Sequence, residues 1–509
     1  MTKDLTWVPP RVEADCDADE LAAIEAVIAS GPFDATWESL SAYETPRWFR
    51  EAKFGVFVHW GAYSVPAYGS EWYARRMYKE GSVEFAHHRE TWGDHREVGY
   101  KDFLPQLTFE NFDASAMVTA IRRSGARFIV PVAEHHDGFC MYDEPRTRWK
   151  APLVGPRRDP LGELLSEARD QWMTVGASSH RAENWFYFNG GRSFPSDVAD
   201  PEWSDLYGAA EREEIDPSEA FLRDWLIRTV HIIDRYRPQV LWFDWWIERP
   251  AFEPYLRTLA AYYYNRSVEW GHGVVLQYKN DAFREGTAVF DVERGASSGI
   301  RPLPWQNDTS VSRNSWGWID AHDYKESREI ISDLIDVVAK NGCLLLNVGP
   351  KPDGTLPPEE VRLLEQVGDW LALNGEGVFG TEPWLVYGEG PTSSRDGSFV
   401  DDTPFVLVPG DLRFTRRSFG DVEYLYVLAA QGDVHEIDVR ALGSHSKLFE
   451  GDIAGVQQLG SLRPLQFERA HEALRVSLPP DADTSHGFGI RITLRHPAPT
   501  RRRDDLLHN

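Results

Sequence analysis

The chain has 509 residues, 42% of them hydrophobic, and a formal net charge of −26. That length allows roughly two to four domains, or one large barrel with an appendage. So acidic a surface repels phosphate chains, which argues against nucleic acid, anionic membranes or other polyanions as the main partner and leaves a neutral one open.

The opening stretch, MTKDLTWVPPRVEADCDADE, lacks a charged-then-apolar leader, and no apolar run of about 18 residues follows. The expectation is a cytoplasmic protein without a membrane span. Cys16, Cys140 and Cys343 are too few for a disulfide framework or a cysteine zinc site. Residues 18–30 read as an amphipathic helix stopped by Gly31-Pro32. Residues 1–45 are expected to form a helical extension packed on the next domain.

From 46 to 384 the pattern is strand, polar loop, helix, repeated. The apolar runs are FGVFVHW (54–60), RFIVPVA (127–133), MTVGASS (173–179), QVLWFDWW (239–246), GVVLQY (273–278) and CLLLNVG (343–349). Each is continuously apolar rather than alternating, as strands buried on both faces of a parallel sheet are. Helical periods fill 114–125, 160–172, 218–238 and 326–342. Such units favour an α/β fold, a TIM-type (β/α) barrel, although six or seven clear strands predict an imperfect one. Beyond 385 the runs 405–410, 422–430, 435–442 and 489–495 are separated by Gly, Asp and Ser, which predicts an antiparallel β-sandwich over 385–496. The last residues, 497–509, are expected to be a disordered tail.

Barrel chemistry sits where strands end. The strand ends here carry His59-Trp60, Glu134-His135-His136-Asp137, His180 and Asp244, then Lys279 and Glu293. A carboxylate at Asp244, flanked by Phe243 and Trp245 after an apolar run, is costly unless paired or used. Glu293, followed by Arg294, reads equally well as a surface ion pair. Two carboxylates on different strands suit glycoside hydrolysis. The histidines admit a metal or sugar hydroxyls. Adjacent histidines on extended chain point apart, which weakens the metal. Trp60, Trp72, Trp185 and Trp242, from a total of 20 tryptophans, favour sugar.

The blocks FGVFVHWGAYSVPAYGSEWY, VPVAEHHDGF, VLWFDWW and VVAKNGCLLLNVGPKPDG resemble glycoside hydrolase family 29, the retaining α-L-fucosidases, over roughly residues 35–385. The resemblance implies a barrel followed by a β-sandwich, with no catalytic metal or other cofactor, acting on a fucosylated oligosaccharide or glycoconjugate. It implies Asp244 as nucleophile and Glu293 as acid/base, with Glu248 the nearer alternative. His59, His135 and His136 match residues that hydrogen-bond the sugar, Trp72 matches a pocket aromatic, and Trp316 matches the aromatic near the sugar's methyl group. Trp60, His180 and Lys279 complete the expected substrate contacts. The chain departs from the pattern at Ala177-Ser178-Ser179-His180, where many members have Tyr-Tyr-Ser, and at Lys279, the cation nearest to an expected arginine. Alternative readings are an α-L-galactosidase of the same mechanism, an inactive fucose-binding protein and a metal-dependent hydrolase. Self-association is a further expectation.

Overall fold

The computed structural model describes residues 10–11, 17–392, 395–401, 403–429, 434–461, 463–480 and 487–496. Cys16 and the expected tail at 497–509 lie outside them.

Eight parallel strands close a barrel in chain order. They are β1 (Phe54–Val58), β2 (Phe128–Glu134), β3 (Thr174–Ser179), β4 (Val240–Phe243), β5 (Val275–Tyr278), β6 (Val289–Glu293), β7 (Trp305–Ser310) and β8 (Gly342–Val348). Closure is made by β1 against β8, with Phe54 opposite Leu344 and Val58 opposite Val348. The continuously apolar strands are buried at every residue, as β1, β2 and β8 show. Fully burying one such side chain stabilises the fold by about 1.5–3 kcal/mol.

The barrel is therefore complete in its strands, and its irregularity lies in the helical ring. Helices Ala114–Arg123, Pro160–Asp170, Glu219–Tyr236 and Glu253–Trp270 precede β2 to β5, and Ser327–Ala339 precedes β8. Loops alone join β5 to β6 and β6 to β7. Helix starts follow side-chain caps: Asp113 accepts from Ala116 N–H, Asp159 from Gly162 N–H and Ser218 from Phe221 N–H. Helix Asp17–Ser30 lies against the Glu219–Tyr236 and Glu253–Trp270 helices. No described helix is long and apolar enough to cross a membrane.

After helix Pro358–Asn374 come two antiparallel sheets. One has the order β13 (Asp452–Gln458), β16 (Phe488–Arg495), β11 (Val422–Ala429), β10 (Leu412–Phe419), β9 (Glu382–Glu389). The other has β12 (Glu436–Val439), β15 (Leu474–Ser477), β14 (Gln466–Arg469). Phe414, Leu425 and Ile490 of the first pack with Val439, Leu474 and Val476 of the second in one core. The run at 405–410 is not a strand, contrary to expectation. Phe405 and Leu407 instead join the barrel's core, and Leu407 N–H donates to Ser332 Oγ. A buried ion cluster ties the sheets to the barrel: Arg413 Nε reaches Asp336 at 2.6 Å and Lys340 Nζ reaches it at 2.5 Å.

Candidate active site

The strand ends on the C-terminal side of the barrel surround a cavity of about 410 Å³. β1 delivers His59, β2 delivers His135 and His136, β3 His180, β4 Asp244, β5 Lys279, β6 Glu293 and β7 Asp308. β8 contributes from beneath, where Asn347 Oδ1 accepts from His59 Nδ1 at 2.7 Å. Trp316 enters on the loop after β7.

Asp244 is buried and fully engaged. Oδ2 meets His180 Nδ1 at 3.0 Å and His136 Nε2 at 3.2 Å, and Oδ1 accepts from Trp245 N–H at 2.9 Å. Lys279 Nζ lies 3.4 Å from the same Oδ1. Burial opposes ionisation of Asp244, yet Lys279 and the two histidine hydrogen bonds outweigh it and hold the carboxylate well below its ordinary range. Glu293 is held the other way. Burial raises it and the negative charge of Asp244 adds to that, although Lys279 donates to its Oε2 at 2.7 Å. Asp308, opposite Glu293 in register, is pushed well above the ordinary range by burial and then by Asp291. Lys279 Nζ sits 3.4 Å from Asp308 and 4.6 Å over the Trp242 ring, whose N–H is fixed by Asp291 at 3.0 Å.

The histidines differ in charge for the same kind of reason. Burial drives His59 and His135 well below 6.5 and His180 to about 4, so all three are neutral at pH 7. A neutral His180 donates Nδ1–H to Asp244 and accepts the Ser178 hydroxyl on Nε2 at 3.0 Å. His136 stands between Asp244 and Glu183. Burial favours its neutral form, but these two carboxylates outweigh burial and raise it. His59, His135 and His180 bring nitrogens within 4.8 Å of one another, as do His136, His180 and Asp244 with their donor atoms. Either group fits a metal in spacing, but both nitrogens of His180 are already hydrogen-bonded.

Aromatic walls complete the cavity. Trp72 stacks on His136 at 5.1 Å, and Trp316 tilts over His59 at 5.2 Å with Arg294 4.6 Å from its ring. Of the expected substrate contacts, Trp60 alone is not brought into the cavity. Its ring packs against Phe109 and Phe112, and its N–H donates to the Val132 carbonyl at 3.1 Å. A tryptophan following His59 on extended chain faces the other side of the barrel wall. Trp185 is likewise core, under Arg249. Glu248 lies outside the cavity and accepts from Asn280 at 3.3 Å.

Several lining residues were missed from the sequence. Glu71 is buried, accepts the Trp316 backbone N–H at 2.9 Å and so fixes that loop; its place beside Trp72 was the available signal. Asp308 sits in the polar run WQNDTS, which does not read as a strand. Phe399 comes from the chain beyond the barrel and carried no local signal. Arg75, Arg76 and Lys79 line the mouth.

Two carboxylates facing one cavity, one kept ionised and the other pushed toward its protonated form, define a barrel glycoside hydrolase. The comparisons narrow the class. The family model described as Alpha-L-fucosidase matches residues 20–376, more than half the chain, and the protein belongs to the α-L-fucosidase family. Human tissue α-L-fucosidase is 30% identical over 74% of this chain and 78% of its own length. An α-L-fucosidase of Dictyostelium discoideum is 28% identical over 71% of this chain and 77% of its own. Among solved structures, Thermotoga maritima α-fucosidase superposes with a TM-score of 0.72 at 25% identity, covering 90% of this chain and 100% of that one.

Proposed function

We propose that the protein is an exo-acting retaining α-L-fucosidase that removes terminal fucose from glycans, with Asp244 as nucleophile and Glu293 as acid/base. The carrying observation is the pair of contacts on Lys279: 3.4 Å to Asp244 Oδ1 and 2.7 Å to Glu293 Oε2. Laid end to end, they keep these oxygens closer than the roughly 6.5–9.5 Å between carboxyls of inverting enzymes. The opposite pKa directions of the two groups supply the protonation states the first step needs.

In that step an Asp244 oxygen attacks the anomeric carbon as the bond to the aglycone oxygen breaks, and the Glu293 proton moves to that oxygen. The product is a fucosyl ester on Asp244. Glu293, now a carboxylate, takes a proton from water. The water oxygen attacks the same carbon, and Asp244 leaves. Two inversions retain the α configuration. His59 and His135, neutral and able to donate or accept, are suited to the sugar hydroxyls, His180 to orienting the Asp244 carboxylate, and Trp316 to the C5-methyl.

The test is proton NMR of the first product released from an aryl α-L-fucoside. α-L-Fucose appearing before mutarotation is the expected result. β-L-Fucose first would overturn the retaining mechanism.

A further inference from the structure

A second cleft lies at the opposite end of the barrel. It is bounded by the segment entering β1, the loop entering β7 and the seam with β9 and β10, and measures about 920 Å³. The helix-free β6–β7 connection supplies one rim through Ile300, Arg301, Pro302 and Pro304. We propose that this cleft is a separate binding site for a small, multiply charged tetrahedral oxyanion, a sulfate or phosphate ester.

The first support is charge. Arg47, Arg50, Lys53, Arg301, Arg416 and Arg417 line the cleft, against only Glu51 and Glu382 among its acids. This is a concentration of positive charge in a chain whose net charge is −26. The two acids are already taken, Glu51 by Arg47 at 2.6 Å and Glu382 by Arg416 at 3.7 Å. The Arg50 and Lys53 side chains have no hydrogen-bond or ion-pair partner among the described residues.

Lys53 is the telling residue. It is only 3% exposed, at the left-handed end of helix Arg47–Ala52, with φ +59°. A buried ammonium with no direct ion pair is costly, and burial brings Lys53 down to about 8 although Glu382 and Glu51 act on it from a distance. An anion in the cleft removes that cost. The arginines add the second support. Arg416 and Arg417 each keep a buried Nε–H with no acceptor, while guanidinium forks match tetrahedral oxyanions in geometry. Phe419, 58% exposed at the rim, and Ile300 offer an apolar flank for the body that carries the ester. The acidity of the whole surface disfavours long polyanions but not a small one held locally, because screening at physiological salt acts within about 8 Å.

The test is isothermal titration of the full chain with inorganic tripolyphosphate and, separately, with fully sulfated sucrose. Saturable one-to-one binding of at least one probe is expected, and the tighter of the two names the ester. Arg50→Ala, at an exposed position, should weaken binding several-fold. Arg50→Ala combined with Lys53→Met should weaken it at least tenfold. Both variants should hydrolyse 4-nitrophenyl α-L-fucoside like the parent, which also reports that they fold. No saturable binding of either probe, unchanged affinity in the folded Arg50→Ala variant, or displacement of the probe by fucose would each overturn the proposal.

Discussion

Lys279 Nζ donates to Glu293 Oε2 at 2.7 Å while remaining within reach of Asp244. One ammonium thus neutralises part of a crowded acidic centre that also holds Asp291 and Asp308. It stabilises the ionised form of whichever carboxylate is charged, so it tunes both at once.

Replacing it by Lys279→Met should move the pH profile. Loss of a nearby positive charge raises both carboxyl pKa values. Under the proposed mechanism, the acid limb of kcat/KM, where Asp244 must be ionised, moves to higher pH. The alkaline limb, where Glu293 must be protonated, moves the same way. The expected outcome is an alkaline shift of the whole bell with lower turnover. A profile that stays in place or shifts to acid would exclude this role.

Asp244→Ala should lose turnover by a factor on the order of 10³ or more, since no other group here is placed to form the ester. Adding sodium azide should restore part of it and yield fucosyl azide of inverted configuration. Full activity without azide would remove Asp244 as nucleophile.

Glu293→Ala should separate substrates by leaving group. A loss of roughly 10²–10⁴ is expected on a fucosylated disaccharide, whose leaving alkoxide needs a proton. Much less is expected in the first step with a dinitrophenyl fucoside. Equal losses on both would argue against proton transfer by Glu293.

The strands that built this site were legible where burial on both faces demanded apolar runs, as at 54–60 and 343–349. The polar strand β7 was not, because Gln306, Asn307 and Asp308 are hydrogen-bonded or charge-paired inside the barrel rather than excluded from it. Helix Glu253–Trp270 was hidden by its run of Tyr262, Tyr263 and Tyr264, all buried, which blurs an amphipathic period. The apolarity of 405–410 read as strand, yet it serves packing against helix Ser327–Ala339. In the site, Asp244 was betrayed by its apolar flanks. Glu71 and Phe399 act from chain segments far from their partners in sequence, and no local pattern encodes that.

Trp316→Ala should narrow the preference for α-L-fucosides over α-L-galactosides. Burying one methyl carbon contributes about 0.8 kcal/mol, or roughly fourfold in kcat/KM. Comparison of the two nitrophenyl glycosides measures it. An unchanged ratio would place the methyl elsewhere.

Arg413→Met should destabilise the protein by about 1.5–3 kcal/mol, because it removes a charged hydrogen bond to the buried Asp336 carboxylate and leaves it with Lys340 alone. A lower first unfolding transition in calorimetry is expected, with KM unchanged in the folded fraction. An unchanged transition would show that Lys340 suffices.

The short run around Phe399 has a practical consequence. Phe399 N–H donates to the Glu293 carbonyl at 2.9 Å and Val400 N–H to that of Arg294 at 2.9 Å. Asp401 then receives Arg294 at 3.2 Å and Lys325 at 2.8 Å. The last wall of the cavity is therefore supplied by polypeptide made after the barrel is finished. An expression fragment ending near residue 384 would not be a minimal enzyme. It would leave the backbone of the Glu293 strand unclasped and Lys325 with only the more distant Asp333 carboxylate, at 3.9 Å. Swapping the segment beyond residue 384 between relatives would exchange part of the cavity wall along with it.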